Sequence, residues 1–196
     1  MLLFHVLKER RARVLFVCLG NSYRSKMAET FAHAYGSDIL EADSAGFIPA
    51  RTVSHTARRL MTEKGLTMPD GPPRRWIQSE LDGYDLIVNL CEYGLPKTSV
   101  PVVKILLPDP VGRPEEERRE IRDEIEIIVQ TMLAQFRQAR DEWPWNISAE
   151  PESASDSSPE RGSEESMEDR PTDPVRLFWW QTHPTSVQLQ LGGLPV

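Results

Sequence analysis

The sequence predicts an α/β fold, a four-stranded parallel sheet with helices on both faces, spanning residues 12–142. Three observations lead there. Apolar runs of strand length alternate with stretches of helical period, the pattern of parallel strands joined by crossover helices. The first apolar run, Val14-Leu15-Phe16-Val17, ends in Cys18-Leu19-Gly20-Asn21-Ser22-Tyr23-Arg24-Ser25, and a helical stretch follows at once. Asp109-Pro110 closes the fourth apolar run, at the strand edge where open parallel sheets place their sites.

Each element has a local reason. Arg13 to Val17 is the first strand. A helix from Ser25 to Tyr35 sets Met27, Phe31 and Ala34 on one face and stops at Gly36. Ile39 to Ala42 is a second strand, ended by the turn-like Asp43-Ser44-Ala45-Gly46. A helix from Ser54 to Lys64 has Ser54 as N-cap and Gly65 as its stop. A short helix at Gln78 to Leu81 leads to the most apolar strand, Asp85 to Leu90, which runs into Cys91. Val102 to Leu107 is the fourth strand. The last helix, Pro114 to Arg140, repeats Ile121, Ile125, Ile128, Met132 and Phe136 at three and four residues, so one face docks on the sheet.

Composition bounds the function. The 196 residues are 39% hydrophobic, enough for one sizeable core. The net charge of -7 is matched by the stretch between Ala149 and Pro174 alone, where nine acidic residues face only Arg161 and Arg170. That Ser/Glu/Pro-rich stretch buries too little apolar area to offset chain entropy, so residues 143–196 read as an acidic, mostly disordered tail. Within it Leu177-Phe178-Trp179-Trp180 is a short apolar segment, and residues 1–11 are a lead-in. The basic run Lys8 to Arg13 lacks interleaved aromatics, which argues against a nucleic-acid footprint. No apolar run reaches the length of a membrane span. Two cysteines without metal-ligand spacing suit neither a disulfide scaffold nor a metal centre, and a reducing cytoplasm is the expected location.

The chemistry is concentrated in the Cys18–Ser25 loop. At a strand-to-helix turn, backbone N–H groups and the positive helix end converge on any anion the loop holds. Such a place favours a thiolate and a tetrahedral oxyanion in front of it, which the planar Arg24 guanidinium can grip with paired hydrogen bonds. The plainer reading of Cys18, a small buried hydrophobe, is outweighed by this context, whereas for Cys91 it is the stronger of the two.

Val17-Cys18-Leu19-Gly20-Asn21-Ser22-Tyr23-Arg24-Ser25, Asp43-Ser44-Ala45-Gly46 and Asp109-Pro110 together resemble the low-molecular-weight protein tyrosine phosphatase family, which includes thioredoxin-coupled arsenate reductases. The resemblance covers residues 12–140. It implies that Cys18 attacks phosphorus in line to give a phosphocysteine. Arg24 and the amides of Leu19, Gly20, Asn21, Ser22, Tyr23 and Ser25 then bind the oxyanion, and Asp109 serves first as general acid and then as base. It also implies that Ser25 donates to the thiolate, Asn21 braces the loop, Gly20 allows close approach or an unusual dihedral, and no metal or cofactor takes part.

Departures from the family pattern divide its branches. Tyrosine phosphatases often carry a second cysteine where Tyr23 stands and a proline where Lys26 stands. Arg24-Ser25-Lys26-Met27-Ala28-Glu29 is nearer the arsenate-reductase pattern, and Cys91 matches that branch's second relay cysteine. Thr98 stands where its third would be. The leading expectation is a phosphatase acting on phosphomonoesters, including protein phosphotyrosine. The alternatives are an arsenate reductase that uses Cys91 or an external thiol such as thioredoxin, and an inactive oxyanion-binding regulatory module.

Overall fold

A computed structural model describes residues 10–141. The tail expected over residues 143–196, with its Leu177–Trp180 segment, lies outside the described residues. The described elements run β1 (Ala12–Cys18), α1 (Arg24–Gly36), β2 (Leu40–Gly46), α2 (His55–Thr62), α3 (Gln78–Leu81), β3 (Leu86–Asn89), β4 (Val102–Lys104) and α4 (Glu115–Asp141). The four strands form one parallel sheet in the order β2-β1-β3-β4, with β1 and β3 inside.

Strand β1 is apolar throughout its inner length because both its faces are covered. Val14, Phe16 and Cys18 point into the larger core with Met27, Phe31, Leu60, Met61, Ile125 and Phe136 from α1, α2 and α4. Leu15 and Val17 point the other way, into a smaller core with Leu81 of α3, Ile87 and Val100. Helices therefore lie on both faces, but unequally, the second being covered by one short helix and by loops. Gly36 permits the close crossing of α1 and α4, since a Cβ there would overlap Leu133.

Several local expectations change. Asp43-Ser44-Ala45-Gly46 is the second half of β2, not a turn: the parallel register carries pairing on to Cys18 opposite Gly46. Strand β4 ends at Lys104 because it pairs with only Ile87, Val88 and Asn89. On α1 the buried face is Met27, Ala28, Phe31 and Ala32, and Ala34 is exposed. Ser54 caps α2 as expected, its Oγ accepting from Ala57 N at 3.3 Å, and Gly65 follows with φ +72°. Because every strand is parallel, the segments after β1, β3 and β4 meet at one edge of the sheet.

Candidate active site

The loop between β1 and α1 is shaped by its carbonyls. Those of Cys18, Leu19, Gly20 and Ser22 accept from the N–H groups of Phe47, Ile48, Ala50 and Ser54 at 2.8–3.1 Å. In a trans peptide the N–H points opposite to the C=O, so the amides of Leu19, Gly20, Asn21 and Tyr23 turn to the inner side of the loop. Tyr23, the N-cap of α1, makes no side-chain capping bond, which leaves the first-turn donors of α1 without a side-chain acceptor there. The loop and helix end thus form a cradle of donors. Gly46 supports it from below: a Cβ at that position would stand 2.8 Å from both Asn21 N and Leu19 O.

The unusual dihedral falls on Asn21, at φ +48°, and not on Gly20. Asn tolerates this region better than most residues, and here its side chain also holds the loop. Asn21 Oδ1 accepts from Arg74 N at 2.8 Å, while Nδ2 donates to Ser44 Oγ at 2.8 Å and to Ser25 Oγ at 3.0 Å. Ser44 Oγ in turn donates to Glu29 Oε2 at 2.6 Å, and Glu29 pairs with Lys26 Nζ at 2.9 Å.

The donor inventory gives this chain a direction. A carboxylate only accepts, so Ser44 spends its single proton on Glu29 and must accept from Asn21. Ser25 also accepts from Asn21, which leaves its own proton for Cys18 Sγ at 3.0 Å or, less well placed, Ala45 O at 3.4 Å. The network therefore ends on the sulfur with a donor. The sequence marks Lys26 and Glu29 only as members of the Arg24–Glu29 run and gives no sign that they pair out of solvent; their side chains are only 8% and 10% exposed.

Next to the loop lies a cleft of about 340 Å³ lined by Arg24, Cys91, Glu92, Tyr93, Leu107 and Asp109, with Leu106 and Pro108. Arg24 is buried, and its Nη1 donates to Leu107 O at 2.9 Å, which fixes the guanidinium between the ends of β3 and β4. Asp109 is exposed, and its carboxylate accepts from Val111 N at 3.0 Å, an Asx turn that holds it at the rim. Cys18 is 2% exposed and is not itself in the lining. Tyr23, expected among the binding residues, turns its ring into the larger core; burial, first of all, raises its hydroxyl pKa to about 12.

Cys91 joins Arg24 and Asp109 in this cleft. It is 3% exposed, and its thiol pKa is raised above the usual 9.0, chiefly by burial. The charge of Cys18 pushes in the same direction, while Tyr93 N–H, Arg24 and Lys104 oppose the shift. Thr98 lies outside the lining, its hydroxyl bonded to Asp82 Oδ1 and Val100 N, both at 3.2 Å. Among the described residues no group of three His, Cys, Asp or Glu side chains could hold a metal ion, and no helix is long and apolar enough to cross a membrane.

Known proteins share this architecture. The arsenate reductase of Brevibacillus brevis is 34% identical over 122 residues, 60% of this chain and 90% of that protein. The glutaredoxin arsenate reductase of Synechocystis is 30% identical over 129 residues, 63% of this chain and 98% of its own. The crystal structure of an arsenate reductase from Archaeoglobus fulgidus superposes with a TM-score of 0.57 at 35% identity, covering 62% of this chain and 98% of that one. The sequence model of the family described as low molecular weight phosphotyrosine protein phosphatase matches residues 13–142, the whole stretch that carries the sheet, the loop and the cleft. The chain belongs to the low molecular weight phosphotyrosine protein phosphatase family.

Proposed function

We propose that this protein is an arsenate reductase in which Cys18 is the nucleophile and Cys91 the second thiol. The observation that carries this reading is the position of Cys91, in one cleft with Arg24 and Asp109. A hydrolase has no use for a second thiol there. A reduction completed within the chain requires one.

The chemistry follows from the groups present. Cys18 thiolate attacks arsenic, and one arsenate hydroxyl leaves as water with a proton from Asp109. The loop amides and Arg24 hold the remaining oxygens. Cys91 then attacks the Cys18 sulfur. The new S–S bond forms, the S–As pair of electrons stays on arsenic as As(III), and the Cys91 proton ends on an arsenite oxygen. With Thr98 in the loop beyond, the Cys18–Cys91 disulfide must be opened by an external thiol. The relation to the Synechocystis glutaredoxin arsenate reductase supports a glutaredoxin- or thioredoxin-type reductant, and so a reducing compartment.

Phosphatase activity is the second reading, favoured by one observation: Asp109 stands exposed at the rim, where a carboxylate can protonate a leaving alcohol and then activate water. Phosphate and arsenate are both tetrahedral oxyanions, so the cradle suits either. The reaction's end separates them. Purified full-length protein supplied with arsenate and with glutathione plus glutaredoxin, or thioredoxin plus its reductase, is expected to consume NADPH in an arsenate-dependent way that Cys18→Ser abolishes and Cys91→Ser reduces severely. Turnover of aryl phosphate with no arsenate-dependent NADPH consumption under any coupling would replace the reductase reading with the phosphatase one.

A further inference from the structure

Asn89, the last residue of β3, is 1% exposed and spends its whole side chain on the segment that carries Cys91. Its Nδ2 donates to Tyr93 O at 2.6 Å. Its Oδ1 accepts from Cys91 N at 3.2 Å and faces Cys91 Sγ at 3.3 Å. The orientation of this amide is determined by its neighbours: a carbonyl needs a donor and an N–H needs an acceptor, so a flipped amide would oppose like to like at both ends. The sulfur therefore meets an acceptor and contributes the S–H proton itself.

We propose that Asn89 is a positioning residue for the second thiol, holding Cys91 as a neutral S–H against the cleft wall until Cys18 carries arsenic. This rests on the reductase reading for its purpose, though not for its geometry. An acceptor on Sγ stabilises the protonated thiol over the thiolate, and a thiol is a poor nucleophile. The charged and titratable groups around Cys91 are Cys18 at the end of β1, Arg24 on α1, Lys104 on β4, the adjoining Glu92 and Tyr93, and Asp109 in the same lining. Held in reserve, Cys91 cannot compete with Cys18 for the incoming oxyanion or for oxidants. In the reduction step its proton leaves for an arsenic oxygen as the sulfur–sulfur bond forms, so the group that restrains the thiol also keeps the proton that the product needs.

The test uses the full-length protein without arsenate. Iodoacetamide labelling of Cys91 and Cys18 is followed against pH by peptide mass spectrometry, in the parent protein and in Asn89→Ala and Asn89→Asp. In the parent, Cys91 is expected to react far more slowly than Cys18 at neutral pH, although the two are almost equally buried. Asn89→Ala is expected to speed Cys91 about tenfold and move its profile to lower pH by about one unit, with Cys18 unchanged within about twofold. Asn89→Asp keeps an acceptor and adds a negative charge, so it is expected to slow Cys91 below the parent. Equal acceleration in both variants would mean only a loosened loop and would overturn the proposal, as would a parent Cys91 that reacts as fast as Cys18. Since no arm uses arsenate, a failure here is distinct from failure of the reductase reading, which Cys91→Ser tests under turnover.

Discussion

The Cys18 sulfur and the Ser25 hydroxyl lie 3.0 Å apart, and the hydrogen-bond partners of Ser25 leave its proton free to point at the sulfur. A hydroxyl that donates to a thiolate stabilises the reactive form by about 1.5–3 kcal/mol, the range for hydrogen bonds to charged groups. Ser25→Ala should therefore slow alkylation of Cys18 at neutral pH by about tenfold or more. Ser25→Thr, which keeps the hydroxyl, should recover much of the rate. Stopped-flow labelling with a thiol reagent, read peptide by peptide, measures both.

The other end of that chain is the Lys26–Glu29 pair. Removing one member of a buried ion pair leaves an uncompensated charge, at a cost of about 3–5 kcal/mol. Lys26→Met alone should lower the midpoint of urea unfolding by that amount of stability. Replacing both residues together with apolar ones of similar volume should cost much less. A double-variant loss equal to the sum of the two single-variant losses would show that the pair is not energetically coupled.

Beneath the loop, Gly46 has no room for a side chain, because Asn21 N and Leu19 O are backbone atoms that cannot swing aside. Gly46→Ala should destabilise the protein by about 1–3 kcal/mol, as overpacking does, and should displace the cradle amides. Its arsenate-dependent turnover should fall further than its stability predicts. Calorimetry beside a coupled assay separates the two effects.

The raised pKa of Cys91 makes stability depend on alkaline pH. In the unfolded chain this thiol ionises near its ordinary value of 9.0, and in the folded chain it ionises later. A group with a raised folded pKa contributes fully below the unfolded value, and its contribution disappears as pH rises through the folded one. Stability should thus decline above pH 9 more steeply than in Cys91→Ser, as chemical denaturation at successive pH values would show. Over the same range, oxidation to the Cys18–Cys91 disulfide should accelerate.

Much of this architecture is readable in the residues, and the failures have physical causes. The places of the loop, Arg24 and Asp109 in the fold are legible because a strand, a tight turn and a helix each leave a local signature. Asp43–Gly46 misleads because its residues favour turns, yet pairing with β1 keeps them extended and brings Ser44 and Gly46 under the loop. Glu29 and Lys26 are hidden in the same way, since nothing in a helical Lys-Met-Ala-Glu run tells that its charged face is buried against β2. Asn89 has no sequence signature either. Its contacts depend on bends at Cys91 and Glu92 that only the folded loop reveals.

The most direct test is to identify the bond on Cys18 after one turnover. Reduced full-length protein is mixed with arsenate and no external thiol, quenched in acid with an alkylating reagent, and digested for mass spectrometry. The expected products are a linked pair of peptides carrying Cys18 and Cys91 and one equivalent of arsenite, and neither forms in Cys91→Ser. Both cysteines recovered as free alkylated thiols with arsenate unchanged, while aryl phosphate yields a phosphocysteine at Cys18, would contradict it.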